Sequence, residues 1–350
     1  MSAGDADTAV DPGAYDFVVP PAIHVGAGRL RELGRLAAGL GREAWLVAGA
    51  RGLAACGGRE RVAGLLGDAG LALRHVATGS GEPTVAQVAA AWTDLPCEGR
   101  DAVVMIAIGG GAAIDLGKAV AALATNAAPA ADPEQTVVDH LEGVGAGLVI
   151  TRPPLPLVAV PTTAGTGAEA TRNAVISCPR RGFKKSMRSP LMVPRVALVD
   201  PELSRSCDRG TTAASGLDCI TQLIESFVCR FRRPLPRALV LEALPRAVAA
   251  LPRVLADPSD LAARGAMSHA ALVSGIALTN AGLGLAHGVA AALGVECGTP
   301  HGVACAALLP VAIRVNRRIA AGDFALLERT IRGGPAGGEA AEADAFIERI

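Results

Sequence analysis

The 350-residue sequence predicts an α/β domain with a parallel sheet, followed by an all-α domain. Up to about residue 202, short apolar runs alternate with helical patterns, which is the rhythm of βαβ units. Beyond Pro201, segments rich in Ala and Leu follow one another, and no strand pattern recurs. Hydrophobic residues make up 51% of the chain and charged residues 19%, which indicates a folded protein. We expect two domains, at residues 1–202 and 203–350.

The first domain contains four apolar runs that end in turn residues. These runs predict buried strands at residues 44–50, 101–110, 156–163 and 195–203. The segments between them predict helices at residues 52–68, 83–93 and 112–125. Strands joined through helices form parallel sheets, and ligands bind at the carboxyl ends of such strands. We therefore expect functional loops directly after the predicted strands.

The second domain is expected to consist of helices. The helical patterns cover residues 211–231, 237–256, 260–280, 283–294 and 302–317. Residues 266–295 contain no Asp, Glu, Lys or Arg, and this stretch is long enough to span a bilayer. Because it also carries histidines, Asn280 and many glycines, we expect buried helices of a soluble domain rather than a membrane span.

Charge, cysteine content and the N-terminal residues indicate which partners and which cellular compartment to expect. Lys and Arg together number 33, as do Asp and Glu, so a basic surface for nucleic acid is not expected. The eight cysteines form no CxxC pair, which suits free thiols in a reducing cytoplasm. Residues 1–16 are polar and acidic and lack the basic and apolar regions of a signal peptide. We expect a cytoplasmic protein without a nucleic-acid or membrane partner.

A glycine triplet follows the second predicted strand, in "AIGGGAAIDLGKAVA" (107–121). Glycines at the start of a helix let backbone N–H groups approach a pyrophosphate, and the helix dipole favours the anion. A tight strand-to-helix turn explains the same residues equally well, with Asp115 as an acid favoured by the helix dipole. The triplet alone leaves both interpretations open.

A threonine-rich loop follows the next predicted strand, in "PTTAGTGAEATRNAVI" (161–176). Its threonines and glycines offer hydroxyl and N–H donors at one point of the chain. Alone, the loop is also explained as a polar turn with a helix cap. Because the two loops follow neighbouring strands of the predicted sheet, a nucleotide phosphate site is the better interpretation.

Together, GGGAAIDLGK and PTTAGTGAE closely resemble the GGGSxxDxAK and PTTAGTGSE loops of the iron-containing (group III) alcohol dehydrogenase family. The resemblance extends from "AIHVGAG" (22–28) to "HGVACAALLP" (301–310). It implies an α/β dinucleotide-binding domain joined to an all-α metal-binding domain. It further implies NAD or NADP as cofactor, a small alcohol or aldehyde as substrate, and a homodimer. Family members usually continue through more helices past the last metal ligand, so we expect those final helices to be missing or reduced here.

The resemblance assigns cofactor contacts to the residues that match the family motifs. The pyrophosphate and the neighbouring ribose are expected to lie against Gly109, Gly110, Gly111 and Asp115. The other expected cofactor-binding residues are Pro83, Thr84, Thr162, Thr163, Thr166, Asn173 and Lys184. Ala112 stands where the family has serine, so one hydroxyl contact is missing.

The turn after the first predicted strand bears on the choice between NAD and NADP. NAD-preferring family members have an Asp there, which binds the adenosine ribose and repels a 2′-phosphate. This chain reads "VAGARG", with Ala50 at the matching position and Arg51 next. The change removes the repulsion and supplies a cation that can pair with phosphate. A surface arginine at a helix start is the alternative interpretation of Arg51.

His287 and His301 lie in a segment of small residues, and each is followed by Gly. The resemblance aligns them with two metal ligands of the family, and it aligns Asp218 and Gln222 with the other two. Residues four apart share a helix face, but the Gln222 amide replaces an imidazole and is a weaker donor for iron or zinc. Single histidines on apolar helices are commonly core residues. Two histidines aligned with the Asp218–Gln222 face favour one divalent metal, with iron expected and zinc as the alternative.

These residues predict a metal-dependent NAD(P) alcohol dehydrogenase or aldehyde reductase, which transfers hydride between nicotinamide and a small alcohol or aldehyde. Two alternatives stay open: a maleylacetate-reductase-like enzyme that needs no metal, and a nucleotide-binding relative without catalysis. The first would perform similar hydride chemistry on an activated carbonyl. The second follows from the altered positions Gln222 and Ala291, since the family has a histidine near the substrate where this chain has Ala291. The sequence assigns no catalytic side chain.

Overall fold

The structure, a computed structural model, describes residues 14–77, 81–95, 99–128 and 131–350. The prediction about an N-terminal signal segment falls largely on residues 1–13, which lie outside the described residues.

Within the described residues, six strands form one parallel sheet in the order β1-β8-β5-β4-β2-β3. The strands are β1 (Ala22–Val25), β2 (Glu43–Ala48), β3 (Ala72–Ala77), β4 (Val103–Gly109), β5 (Leu157–Pro161) and β8 (Val196–Val199). The predicted parallel sheet is confirmed, and the four predicted strands correspond to β2, β4, β5 and β8. Sequence reasoning missed β1 and β3. Both are edge strands, and they lack the continuous apolar run that marks a strand buried on both faces.

Six helices cover the two faces of this sheet in the described residues. They are α1 (Leu33–Ala38), α2 (Ala50–Ala55), α3 (Arg59–Gly67), α4 (Val85–Thr93), α5 (Gly111–Asn126) and α6 (Pro133–Asp139). Along β4, Met105 packs with α4, α5 and α6, whereas Ile106 packs on the other face with α1 and α3. The predicted helix at 52–68 is two helices, because Gly57 and Gly58 adopt φ values of 84° and 98° and break the chain between them.

A two-stranded antiparallel hairpin follows β5 and was not predicted. It consists of β6 (Asn173–Cys178) and β7 (Phe183–Arg188). Every second residue of β6 is buried, and Ala174, Ile176 and Cys178 join the core on the side of α5. The hairpin therefore stands beside the sheet, close to the amino end of α5.

The second half of the chain is helical, as predicted. Its helices are α7 (Arg209–Val228), α8 (Pro234–Ala256), α9 (Leu261–Ala281), α10 (Leu285–Cys297), α11 (His301–Arg332) and α12 (Glu339–Arg349). All five predicted helices are present. The last of them continues through a kink at Ala320, and α12, which was not predicted, folds back so that Phe346 stacks on Phe324.

The charge-free stretch at 266–295 forms most of α9 and α10. Among the described residues, α9 is the one helix that is long and apolar enough to cross a membrane by length and composition. Of its most apolar window, 67% is buried inside the structure. Its side chains pack against α7, α8 and the loop after β5. This burial agrees with the core helix expected from the sequence.

The two halves meet where α9 crosses the loop after β5. Gly167 in that loop adopts φ +60°, and a Cβ on Gly167 would lie 2.5 Å from the backbone nitrogen of Gly275 in α9. A Cβ on Gly275 would overlap the carbonyl oxygen of Gly167. Backbone therefore touches backbone at this point, and side chains are excluded from both positions.

We predict that Gly275→Ala lowers the free energy of unfolding by about 1–3 kcal/mol, because the added methyl group has no room against the Gly167 carbonyl. The matched control is Gly64→Ala in α3, where an added Cβ meets nothing within 4 Å. That change should raise stability by about 0.5–1 kcal/mol through helix propensity. Urea unfolding curves measure both effects. Equal midpoints for the two variants would contradict the close contact.

Candidate active site

The glycine triplet and the threonine-rich loop meet at the carboxyl edge of the sheet. Gly109 ends β4 and pairs in register with Pro161 at the end of β5. The backbone N–H of Thr162 then donates to the carbonyl of Gly109 at 2.9 Å. The predicted juxtaposition of the two loops is therefore present in the structure.

The triplet is glycine for reasons of space as well as conformation. Gly109 adopts φ 153°, and a Cβ there would lie 2.8 Å from the Cβ of Ala113. A Cβ on Gly111 would lie 2.8 Å from Oγ1 of Thr166, and one on Gly110 would lie 3.4 Å from Oγ1 of Thr163. Bare backbone at the amino end of α5 thus faces two threonine hydroxyls, an arrangement that can receive a phosphate.

The half-buried Asp115 and the buried Lys118 form an ion pair on α5, with the carboxylate 3.7 Å from the ammonium. Asp115 also accepts a hydrogen bond from the backbone N–H of Val175, at 3.0 Å, and so ties the β6–β7 hairpin to α5. Lys118 donates to Oγ1 of Thr171 and to the carbonyl of Asn173. Burial raises the pKa of Asp115 to about 6 and lowers that of Lys118 to about 8. Sequence reasoning missed Lys118, although a lone lysine within an apolar helix was a readable signal.

The remaining residues of the predicted cofactor set lie around the hairpin. The carbonyl of Pro83 accepts from the N–H of Ser177 at 2.9 Å, and Thr84 caps α4 through reciprocal hydrogen bonds with Gln87. Lys184, on β7, forms an ion pair with Glu82. The structure therefore gathers the Pro-Thr turn and Lys184 on the same side of α5.

Ala50 is exposed at the first position of α2, immediately past the end of β2. Strands β2 and β4 pair in parallel register up to Ala48 and Ile108, so this turn lies next to the glycine triplet. Close packing is enforced by Gly52, where a Cβ would lie 2.7 Å from the carbonyl oxygen of Ile108. Arg51 is exposed beside Ala50.

A second site lies in the helical half, where α7, α10 and α11 converge. Asp218, His287, His301 and Cys305 each offer one ligand atom, and the four atoms lie within 4.8 Å of one another. Nε2 of His287 is 3.2 Å and Nε2 of His301 is 3.7 Å from Oδ1 of Asp218. The sequence identified three of these four residues. Cys305 was missed, although it stands four residues after His301 and so shares its helix face.

Glycines allow the three helices to come this close. A Cβ on Gly302, beside His301, would lie 2.6 Å from the carbonyl oxygen of Ala214 in α7. A Cβ on Gly284, just before α10, would lie 2.9 Å from Oε1 of Glu225. Helix α11 and the start of α10 therefore press against α7, and the side chains of the cluster converge as a result.

Gln222 lies one turn after Asp218, as expected, and is buried. Its amide nitrogen donates to Oδ2 of Asp218 at 3.0 Å. Its amide oxygen accepts from the hydroxyl of Ser274 at 2.7 Å. The sequence predicts that Asp218 and Gln222 both bind the metal. In this arrangement, however, the side chain of Gln222 turns an N–H, and not its oxygen, towards Asp218.

Glu225 is a further buried carboxylate that the sequence analysis did not single out. Its Oε2 lies 2.6 Å from Nδ1 of His287, and its two oxygens accept from the backbone N–H groups of Ala286 and His287. An acceptor at Nδ1 keeps the proton on that nitrogen and leaves Nε2 facing Asp218, which is the usual support for a histidine that binds metal. Glu225 lies seven residues, or about two helical turns, after Asp218 and so shares its helix face. This spacing could have identified it from the sequence.

The electrostatics of the cluster reflect two buried acids around one imidazole. Burial opposes ionisation of Asp218, yet the hydrogen bond from His287 and the nearby histidines hold its pKa below the usual value. Burial also opposes protonation of His287, but its hydrogen bonds with Asp218, Cys305 and Glu225 raise its pKa to about 12. Buried carboxylates need a cation, which a protonated His287 or a bound metal ion can supply.

The two sites are joined through Ser274 of α9. Its hydroxyl donates to the amide oxygen of Gln222, and it lies 3.5 Å from the carbonyl oxygen of Gly165 in the threonine-rich loop. On the other side of the cluster, α10 packs against β7, which carries Lys184. The candidate metal cluster therefore adjoins the loops that could hold a dinucleotide.

Comparison with protein families covers nearly the whole chain. Residues 20–201 match the profile described as iron-containing alcohol dehydrogenase. Residues 212–350 match the profile described as the C-terminal part of the Fe-containing alcohol dehydrogenase family.

Individual relatives agree with these profiles. The chain is 33% identical over 316 residues to the probable alcohol dehydrogenase EutG of Escherichia coli (strain K12), covering 90% of this chain and 77% of that protein. It is 31% identical over 295 residues to the NAD-dependent methanol dehydrogenase of Bacillus methanolicus, covering 84% and 74%. Among solved structures, 1,3-propanediol oxidoreductase superposes with a TM-score of 0.84 at 28% identity, over 96% of this chain and 85% of that one.

We predict that Glu225→Gln weakens zinc binding at the cluster about 10- to 100-fold, because the amide offers one acceptor oxygen where the carboxylate offers two, and it fixes His287 less firmly. The matched control is Glu242→Gln, which alters an exposed carboxylate 2.8 Å from Nε2 of His269. Competition with a chromophoric chelator gives both affinities. Zinc binding unchanged in Glu225→Gln would contradict the role of this carboxylate in orienting His287.

Proposed function

The chain belongs to the iron-containing alcohol dehydrogenase family, and from that membership we propose a metal-dependent NAD(P) dehydrogenase that interconverts a small alcohol and its aldehyde. The enzyme is an oxidoreductase acting on CH–OH groups. The observation that carries the proposal is the contact of Ser274 with both Gln222, beside the metal cluster, and Gly165 in the threonine-rich loop. Hydride transfer needs the cofactor and the activated oxygen side by side, and this contact joins their two sites.

The α/β half, residues 1–202, is proposed to hold the cofactor. The backbone of Gly109, Gly110 and Gly111 receives the pyrophosphate at the amino end of α5, where the helix dipole favours an anion. The other residues proposed to line the cofactor are Pro83, Thr84, Asp115, Thr162, Thr163, Thr166, Asn173 and Lys184. Asp115 acts through the hairpin that it anchors by its bond to Val175. One structural relative, a sulfoacetaldehyde reductase of Bifidobacterium kashiwanohense solved with NAD⁺, superposes with a TM-score of 0.81 at 27% identity, over 96% of this chain and 86% of that one.

The helical half, residues 203–350, is proposed to hold one divalent metal through Asp218, His287 and His301. A divalent metal held there would supply Lewis-acid polarisation of the substrate oxygen, and a nicotinamide held by the neighbouring loops would supply hydride exchange. The protein's own contribution is positional. Glu225 orients His287, and Gln222 holds Oδ2 of Asp218 so that Oδ1 faces the histidines. Oxidation of an alcohol would require a hydride acceptor, which the bound cofactor would supply, and a proton acceptor, for which the sequence assigns no side chain and water would serve.

The proposed enzyme is a cytoplasmic homodimer. Seven cysteines among the described residues are free thiols, in keeping with a reducing compartment. Light scattering coupled to size-exclusion chromatography measures the molar mass in solution. A mass that corresponds to one chain would contradict the proposed dimer.

We predict that the enzyme accepts NADPH at least as well as NADH, because Ala50 leaves no carboxylate to repel a 2′-phosphate. Ala50→Asp should shift the ratio of kcat/KM for the two cofactors towards NADH, by roughly 1–3 kcal/mol. The control is Ala54→Asp, which adds the same charge at an exposed position one turn further along α2. A wild type that strongly prefers NADH would contradict this reading of the turn.

We predict that His287→Ala loses metal and activity together, because it removes one of three proposed ligands. If His287 were only a core residue, activity would fall in proportion to the unfolded fraction caused by the cavity. Metal content by mass spectrometry, measured beside the melting temperature, separates these outcomes. His269→Ala, on an exposed face, is the control and should retain both. Full activity of a metal-free wild type would instead identify a metal-independent reductase.

A further inference from the structure

Cys305 is a buried thiol that faces the metal cluster and has no role in the function proposed above. It lies one turn after His301, the first residue of α11, so both side chains leave the same face of that helix. Its Sγ is 3.7 Å from Nε2 of His301. It is the fourth member of the group whose ligand atoms lie within 4.8 Å of one another, together with Asp218, His287 and His301.

Gln222, by contrast, is engaged away from the point where these atoms converge. The histidines approach Oδ1 of Asp218, whereas Gln222 contacts the other oxygen, Oδ2. Turning the amide over would place its oxygen 3.0 Å from Oδ2, which sets two acceptors against each other. The observed orientation satisfies both ends of the amide, since Ser274 donates to its oxygen.

We propose that Cys305, as a thiolate, is the fourth protein ligand of the metal in place of Gln222, and that this Asp-His-His-Cys set selects zinc over iron. The proposal rests on the metal-dependent function above and specifies its site. Gln222 then supports Asp218 through its hydrogen bond and does not bind the metal.

The separations fit a four-coordinate zinc site. Zinc binds oxygen and nitrogen at about 2.0–2.2 Å and sulfur at about 2.3 Å in tetrahedral geometry, so neighbouring ligand atoms stand roughly 3.3–3.8 Å apart. The separations are 3.2 Å between His287 and Asp218, 3.7 Å between His301 and Asp218, and 3.7 Å between Cys305 and His301. Since the four ligand atoms lie within 4.8 Å of one another, small side-chain movements would bring them to bonding distance from one centre.

The donor set also decides which metal is favoured. A thiolate is a soft ligand that suits zinc. In the general order of divalent affinities, zinc also binds a given site more tightly than iron(II) does. The carboxylate of Asp218 and the thiolate of Cys305 together balance the charge of a divalent ion, which matters at a buried site. The side chain of His301 is 30% exposed, so this side of the cluster is open to substrate. A substrate oxygen could bind there as a fifth ligand, since zinc can expand from four to five ligands during catalysis.

Cobalt(II) substitution tests the thiolate directly, independently of activity. We expect the full-length protein loaded with one equivalent of cobalt to show a sulfur-to-cobalt charge-transfer band in the near ultraviolet. The band should disappear in Cys305→Ser and persist in Cys229→Ser, whose thiol donates to the carbonyl of Ala281 outside the cluster. Circular dichroism checks that each variant is folded. If Cys305→Ser does not fold, the wild-type spectrum decides, because a bound cobalt ion without the band overturns the proposal.

Metal competition tests the selectivity. With zinc and iron(II) offered anaerobically in equal amounts, the wild type should retain zinc, and Cys305→Ser should bind zinc at least tenfold more weakly. Gln222→Ala should affect zinc affinity less than Cys305→Ser does. A larger loss in Gln222→Ala, or wild-type zinc affinity in Cys305→Ser, would overturn the assignment of Cys305 while leaving the metal-dependent dehydrogenase intact. Binding of iron(II) but of neither zinc nor cobalt would overturn the assignment of Cys305 alone, whereas failure to bind zinc, cobalt and iron(II) would overturn both proposals.

Discussion

The close contact of two backbones, at Gly167 and Gly275, determines how the helical half sits on the sheet. Helix α9 can cross the loop after β5 at this distance because neither residue carries a side chain. The neighbouring residue Ser274 is thereby brought to both Gly165 and Gln222. The contact is reinforced further along α9, where the side chain of Asn280 bonds both backbone groups of Val18. The position of the metal cluster relative to the cofactor loops therefore follows from a packing constraint outside either site.

A second constraint is electrostatic. Asp218 and Glu225 are both almost fully buried, and His287 lies between them with one ring nitrogen facing each. Carboxylates in such surroundings are costly unless a cation and hydrogen bonds compensate them. Three helices supply this compensation, because Gly284 and Gly302 let α10 and α11 approach α7. Burying two carboxylates costs folding free energy, but the same two carboxylates provide the negative charge that a buried divalent cation needs.

The sequence predicted the parts of the fold whose signals are local. Central strands such as β4 are continuous apolar runs, and the loops after β4 and β5 carry glycines and threonines at readable spacing. The edge strands β1 and β3 and the β6–β7 hairpin escaped prediction because their residues alternate or include polar side chains. The same limit applied at the candidate site. Asp218, His287 and His301 were identified through family motifs, whereas the positions of Glu225 and Cys305 depend on how α7, α10 and α11 pack, which no single helix pattern reveals.

The proposed ligand set redistributes the metal site between helices. In the family pattern, α7 would contribute two ligands four residues apart, but here its second position is Gln222. In the proposed site, α11 contributes the two ligands four residues apart, His301 and Cys305. The amide on α7 is then free to connect Asp218 with Ser274, and through Ser274 with the loop that carries Gly165. In the proposed site, the amide that replaces the imidazole is therefore a hydrogen-bonding partner of Asp218 and Ser274 and not a ligand, and it connects the orientation of Asp218 with the packing of α9.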